Sequence, residues 1–95
     1  MKLKKYYEYY LSLHKNIWCR RLHFLGQIAT IFFVAYGLVS NLWFLLLAPF
    51  IIYPFAWSGH YFFERNEPAA FRDPIKAKIC DWLMFKDILL GRIKI

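Results

Sequence analysis

The chain has 95 residues, 60% of them hydrophobic and 22% aromatic, and carries a net charge of +7. At this length only one domain is available, and an apolar share well above the roughly 45–50% of soluble globular domains excludes an ordinary soluble fold. The basic residues do not mark a nucleic-acid partner either: six precede and seven follow a block from Leu22 to Phe63 that holds no Lys, Arg, Asp or Glu, which is the distribution that membrane topology produces by the positive-inside rule.

Taken in chain order, residues Leu3 to Leu13 set Tyr6, Tyr7, Tyr9 and Tyr10 among lysines. Such a segment suits a helix lying at the membrane interface, where Tyr rings and Lys stems are both at ease. The uncharged block is long enough for two bilayer crossings of about 20 residues each. The first is expected over about 22–40, turning at Gly37, Ser40 and Asn41, and the second over about 42–60. Pro49 and Pro54 each remove a backbone donor and should kink that second helix. Gly26, Ala29 and Thr30 offer a small-residue face for packing the two together.

The chain then leaves the apolar block through Glu64, Arg65, Asn66 and Glu67, and Pro68 and Pro74 bracket a short link. From Ile75 to Gly91 the pattern is that of an amphipathic helix with Lys76, Lys78, Lys86 and Asp87 on its wet side, suited to the membrane surface. The expected fold is all-α: an integral membrane protein with a two-helix transmembrane hairpin flanked by interfacial amphipathic helices, one domain over 1–95. Both termini are expected in the cytoplasm, with the chain in the inner membrane of a bacterium or the endoplasmic reticulum of a eukaryote. The basic N-terminus runs into Tyr and Glu rather than a cleavable signal sequence, so the hairpin itself is expected to do the targeting. Cys19 and Cys80 fall on the reducing side, and neither is spaced as a zinc or redox pair.

The hairpin arrangement has a geometric consequence. His14 precedes the first crossing, His23 opens it and His60 closes the second, so all three histidines of the chain fall at one face of the membrane. His60 and Glu64 are one helical turn apart, with Cβ atoms about 6 Å from each other. Three imidazoles and a carboxylate make a ligand set for non-haem iron, zinc, manganese or copper, and ionisable groups at membrane depth read as functional. A single histidine there is more often amphipathic filler, and Glu64, Arg65 and Asn66 also read as flanking and turn-capping residues. The coincidence of all three histidines favours the metal. Asp81 has three readings: a further ligand, a partner that orients a ligating histidine, or a solvated helix residue. No serine sits in a GxSxG turn and the four glycines are isolated, so neither a nucleophile elbow nor a phosphate loop is present.

Three stretches carry a family resemblance. Tyr10 to Gly26 reads YLSLHKNIWCRRLHFLG, Trp57 to Ala69 reads WSGHYFFERNEPA, and Asp81 to Phe85 reads DWLMF with Gly91 and Arg92 after it. Together they resemble the Mpo1-like family, small membrane proteins once grouped as a domain of unknown function and now named for the yeast 2-hydroxy fatty acid dioxygenase of phytosphingosine metabolism. The third stretch resembles the bacterial branch, and Ile17 and Cys19 stand where the family often has proline and asparagine. The resemblance implies an Fe(II)-dependent dioxygenase that shortens a 2-hydroxy fatty acid by one carbon, using O2 and not 2-oxoglutarate. His14, His23 and His60 fall on the family's histidine positions, which implies that they are metal ligands, and Glu64 falls on its glutamate, as a ligand or as a catalytic base beside the metal; Asn66 is a further catalytic candidate, and Tyr10 and Asp81 are candidates to support the ligands. A 2-hydroxy acid can chelate iron through its carboxylate and hydroxyl and leave a position for O2, while its chain lies along the hairpin; a homodimer is one way for so short a member to enclose the site. Two other readings are a noncatalytic membrane scaffold acting through Tyr6 to Tyr10 and Trp82, and a metal-dependent lipid hydrolase, since imidazole and carboxylate do not select iron over zinc.

Overall fold

The computed structural model describes residues 2–95. They form helix α1 (Leu3–Ser12), helix α2 (Ile17–Ser40), two 3-10 turns (Leu42–Leu46 and Ala48–Phe50), helix α3 (Ile52–Gly59), a π-turn (His60–Glu64), a third 3-10 turn (Ala69–Phe71) and helix α4 (Pro74–Leu89). The chain is all-helical among the described residues.

α2 starts at Ile17 rather than near Leu22, because the polar residues before the apolar block are used rather than left as a flank. The Asn16 side chain caps the helix by accepting from Trp18 N at 2.8 Å, the most favoured kind of N-cap. Arg20 Nε donates to His14 O at 2.7 Å, and the Arg21 guanidinium lies 4.5 Å from the centre of the Trp18 ring. Both cations are thereby accommodated in the first turns. The helix then runs for 24 residues, about 36 Å at the usual rise, and is long and apolar enough to cross a membrane.

The second limb corrects the expectation of a second long helix over 42–60. It is broken into the two 3-10 turns, the short α3 and the π-turn, and among the described residues α2 is the one helix that satisfies length and apolarity for a crossing. Pro49 falls in the second 3-10 turn and Pro54 in the first turn of α3, positions that tolerate a missing N–H better than a helix interior. The prolines' own carbonyls accept from side chains, Lys78 Nζ at 2.7 Å from Pro49 O and Ser58 Oγ at 2.6 Å from Pro54 O.

This limb lies back along α2 in the opposite sense. Gly37 faces Phe44 and Leu45, Gly26 faces Ile52 and Phe55, and Gly59 faces Cys19, so a glycine marks each level at which the two backbones approach. Towards the Gly37 end the outer faces are apolar and uncovered, with Phe32, Val39, Leu42, Trp43 and Leu46 all exposed.

The flanking helices pack on each other. Tyr6 and Tyr10 of α1 share a core with Ala69 and with Ala77, Cys80, Met84 and Ile88 of α4, and Tyr7 donates to Asp87 Oδ2 at 2.6 Å. α4 also leans on α2, Phe85 stacking on Phe24 with ring centres 5.0 Å apart. Beneath this layer lies a polar core that holds His14, His23, Gln27 and His60, each at most 2% exposed.

Candidate metal centre

Each histidine reaches this core from a different element, and each is fixed through the same ring atom. His14 follows α1, with Nδ1 2.7 Å from Tyr10 O and its ring stacked on the Tyr10 ring at 4.1 Å. His23 lies on α2 with Nδ1 2.8 Å from Cys19 O, one turn back. His60 opens the π-turn with Nδ1 2.6 Å from Asn66 Oδ1. A carbonyl oxygen only accepts, so Nδ1 is the donor in all three rings. For Asn66 the amide orientation is settled by its other end, where Nδ2 donates to Leu13 O at 3.1 Å.

With every proton on Nδ1, the three Nε2 atoms carry lone pairs. His14 Nε2 and His23 Nε2 are only 3.2 Å apart. The His60 ring sits 4.5 Å from the His14 ring and 5.2 Å from that of His23. Lone pairs that converge in a buried space repel unless a cation lies between them. A proton is disfavoured there: burial, and then the neighbouring His23 and His60, push the His14 pKa well below the ordinary value. A metal ion meets the same demand, and imidazole rings oriented from behind by Nδ1–H···O bonds are the usual form of its ligands. Ligand atoms of His14, Cys19, His23 and His60 all lie within 4.8 Å of one another.

The local backbone explains how these side chains meet. The 60–64 segment is a π-turn rather than the α-helix expected for His60 and Glu64, and it closes on Arg65 in the left-handed conformation at φ 56°. That widened turn swings Asn66 back beneath His60, whose carbonyl also accepts from Asn66 N at 3.3 Å. π-turns of this sort recur at functional sites. On the other side the 13–16 connection is held by Asn66 at Leu13 O, by Arg20 at His14 O, and by Glu64, whose Oε2 accepts from Asn16 N at 2.8 Å.

The sequence-derived candidates therefore divide. His14, His23 and His60 come together. Glu64 is turned to Asn16, and Cys19 stands in the metal-capable group where a carboxylate was expected. Tyr10 contacts His14 by ring and carbonyl, and Asn66 holds His60. Asp81 lines the cavity beside the histidines. Cys19, Arg20 and Gln27 were missed; Cys19 and His23 are spaced one helical turn apart, a signal that spacing alone offered.

The cavity has a volume of about 30 Å³ and is walled by the three histidines, by Tyr10 and Asp81, and by small apolar residues including Ala56 and Ala69. It has room for roughly two waters. An apolar groove of about 330 Å³, lined by Tyr61, Phe71, Asn66 and Glu67, adjoins it through Trp57 and Pro68.

A family model described as 2-hydroxy-palmitic acid dioxygenase Mpo1-like matches residues 1–93. The chain belongs to the Mpo1-like family. Neither the curated proteins nor the solved structures give a match. In this Mpo1-like chain the three histidines fit a bound metal: they offer three unprotonated nitrogens, held from behind and facing a small cavity, and such donors suit a first-row divalent ion.

Proposed function

We propose that this chain is an Fe(II)-dependent dioxygenase that acts on 2-hydroxy fatty acids at the membrane edge and shortens them by one carbon. The observation that carries the reading is the convergence of the His14 and His23 Nε2 atoms, with His60 beside them and every Nδ1 tied down. The family description supplies the substrate class. His14, His23 and His60 would hold the metal, and Fe(II) bound there would supply the reducing centre at which O2 is activated.

The chain's own residues do the rest. Asn66 and the Tyr10 and Cys19 carbonyls keep the Nδ1 protons in place, so that the ligand nitrogens stay unprotonated. Glu64 and Arg20 hold the connection that carries His14. The small cavity takes the polar head of the acid and excludes bulk water, and the adjoining groove under Trp57 and Phe71 receives the start of its chain. The apolar outer faces of α2 and of the returning limb sit in lipid. Both limbs cross as a hairpin in this reading, so both termini lie on the cytoplasmic side.

The test is the iron content of detergent-purified protein prepared anaerobically with Fe(II), beside His60→Ala, followed by O2 consumption with 2-hydroxypalmitic acid. The expected result is near-stoichiometric iron, absent from the variant, and formation of the acid one carbon shorter. Iron bound equally by both proteins, or O2 consumed without a shorter acid, would refute the reading.

A further inference from the structure

Lys78 stands on the wall of the histidine cavity, and metal binding gives it no role. Among the residues that line the cavity it is the one with a permanent positive charge. It comes from the second turn of α4, and its head is held in place: Nζ donates to Pro49 O at 2.7 Å and lies 5.1 Å from the centre of the Tyr53 ring. An ammonium has three N–H donors, so one bond to a carbonyl leaves two. No carboxylate of the described residues forms an ion pair with it. Asp81, one turn further along α4, lines the same cavity, but burial pushes its carboxyl up to about 7, towards the neutral acid, so it cancels only part of the lysine's charge. Burial also lowers the Lys78 pKa, with Asp81 opposing. A cation that has given up part of its hydration is stabilised by an anion brought to it, and the group this wall lacks is the one a fatty acid supplies.

We propose that Lys78 is the carboxylate-binding residue of the cavity, its remaining ammonium hydrogens donating to the carboxylate of the bound fatty acid. This rests on the functional reading above and names the side chain by which the protein itself, apart from any metal, recognises the substrate as an acid. An uncharged lipid of the same length leaves the ammonium without its anion, so the site selects acids over alcohols. Pro49 O and the Tyr53 ring fix the ammonium at the cavity before the substrate arrives, which reduces the ordering cost of binding. A hydrogen bond between two charged groups is also about twice as strong as a neutral one, so a single lysine is enough to set the preference.

The experiment measures binding of 2-hydroxypalmitic acid and of its uncharged counterpart 1,2-hexadecanediol to chelator-treated, metal-free protein by isothermal titration at neutral pH, so that no ion reads the carboxylate. The wild type should favour the acid by about tenfold, the low end of what a hydrogen bond to a charged group contributes. Lys78→Met should abolish that preference with diol binding unchanged, and Lys78→Arg, which keeps the charge, should retain most of it. A preference retained in Lys78→Met overturns the assignment and leaves the dioxygenase reading standing. Acid and diol weakened alike in Lys78→Met also overturn it, because the lysine then acts only through Pro49 O, as a tie between α4 and the second limb. No preference in the metal-free wild type overturns it as well; repeating the titration anaerobically with Fe(II) then separates the two ideas, because a preference that appears with iron preserves the functional reading and its continued absence removes both.

Discussion

His14 Nε2 and His23 Nε2 lie 3.2 Å apart with no hydrogen between them to share, because each ring spends its proton on a backbone carbonyl through Nδ1. In a metal-free chain this is a repulsive contact, and a cation converts it into a stabilising one. Adding Fe(II) or Zn(II) to metal-free protein should therefore raise the unfolding temperature. At a metal concentration 100 times the dissociation constant the gain is about 2.7 kcal/mol, several degrees for a chain of this size. His14→Ala should show no such shift. A thermal scan with equal shifts in both proteins would place the metal elsewhere.

Asn66 spans two parts of the site, accepting from His60 and donating to Leu13 O. Removing such an orienting partner weakens metal binding by roughly 10–100-fold. Asn66→Ala should show that loss in a competition titration against a metal indicator, and the His14 limb should loosen with it because Leu13 O loses its donor. Asn66→Asp keeps the acceptor for His60 and should lose less. Equal affinities for wild type and Asn66→Ala would mean that His60 is held by packing alone.

Much of this arrangement was legible in the sequence, and the exceptions have physical causes. The three histidines could be placed at one end because a charge-free block with one turn forces its two ends together. The full length of α2 is hidden in the sequence because Arg20 and Arg21 have the look of flanking charges, whereas Arg20 is turned back to His14 O. In the second limb proline marks an interruption but does not say that 3-10 turns will replace the helix on its N-terminal side. The spacing of His60 and Glu64 reads as one α-helical turn, whereas the segment is a π-turn in which Glu64 accepts from Asn16 N and stays beside Cys19 and His60. The spacing of Cys19 to Cys80 carries no metal signal, whereas Cys19 and His23 lie one turn apart on the same helix and both enter the metal-capable group. The pairing of α1 with α4 was hidden because both have the composition of surface-lying helices.

The closest backbone approach near the metal centre is at Gly59, where an added Cβ would meet Cys19 Sγ at 2.9 Å and Cys19 Cα at 3.1 Å. The obstacle includes backbone, so it cannot rotate away. Gly59→Ala should separate α3 from α2 at the level of His60 and His23 and destabilise by about 1–3 kcal/mol, as overpacking does. The metal titration should weaken as well, although no ligand is altered. Gly91→Ala provides a contrast: its φ of +77° strains a side chain, but nothing lies within 4 Å, so any loss there should leave metal affinity untouched.

Asp81 gives the protein a specific pH dependence. Burial pushes its carboxyl up from the ordinary value of 3.8 to about 7, opposed by Gln27 and Lys78. Between those two values the folded chain holds a proton on Asp81 that the unfolded chain has released, so the folded state binds more protons and its stability falls as pH rises. The favourable contribution is complete below about pH 4 and gone above about pH 7, and at roughly 1.4 kcal/mol per unit it amounts to a few kcal/mol. Asp81→Asn removes the titration while keeping the shape. Relative to wild type, metal-free Asp81→Asn should gain stability between pH 5 and pH 8, because the wild type alone must bury a charge at the higher pH. Thermal unfolding of both proteins in detergent across that range checks the sign directly. Curves that run parallel would mean that the carboxyl is already ionised in the folded chain at pH 5, with water or Lys78 satisfying it.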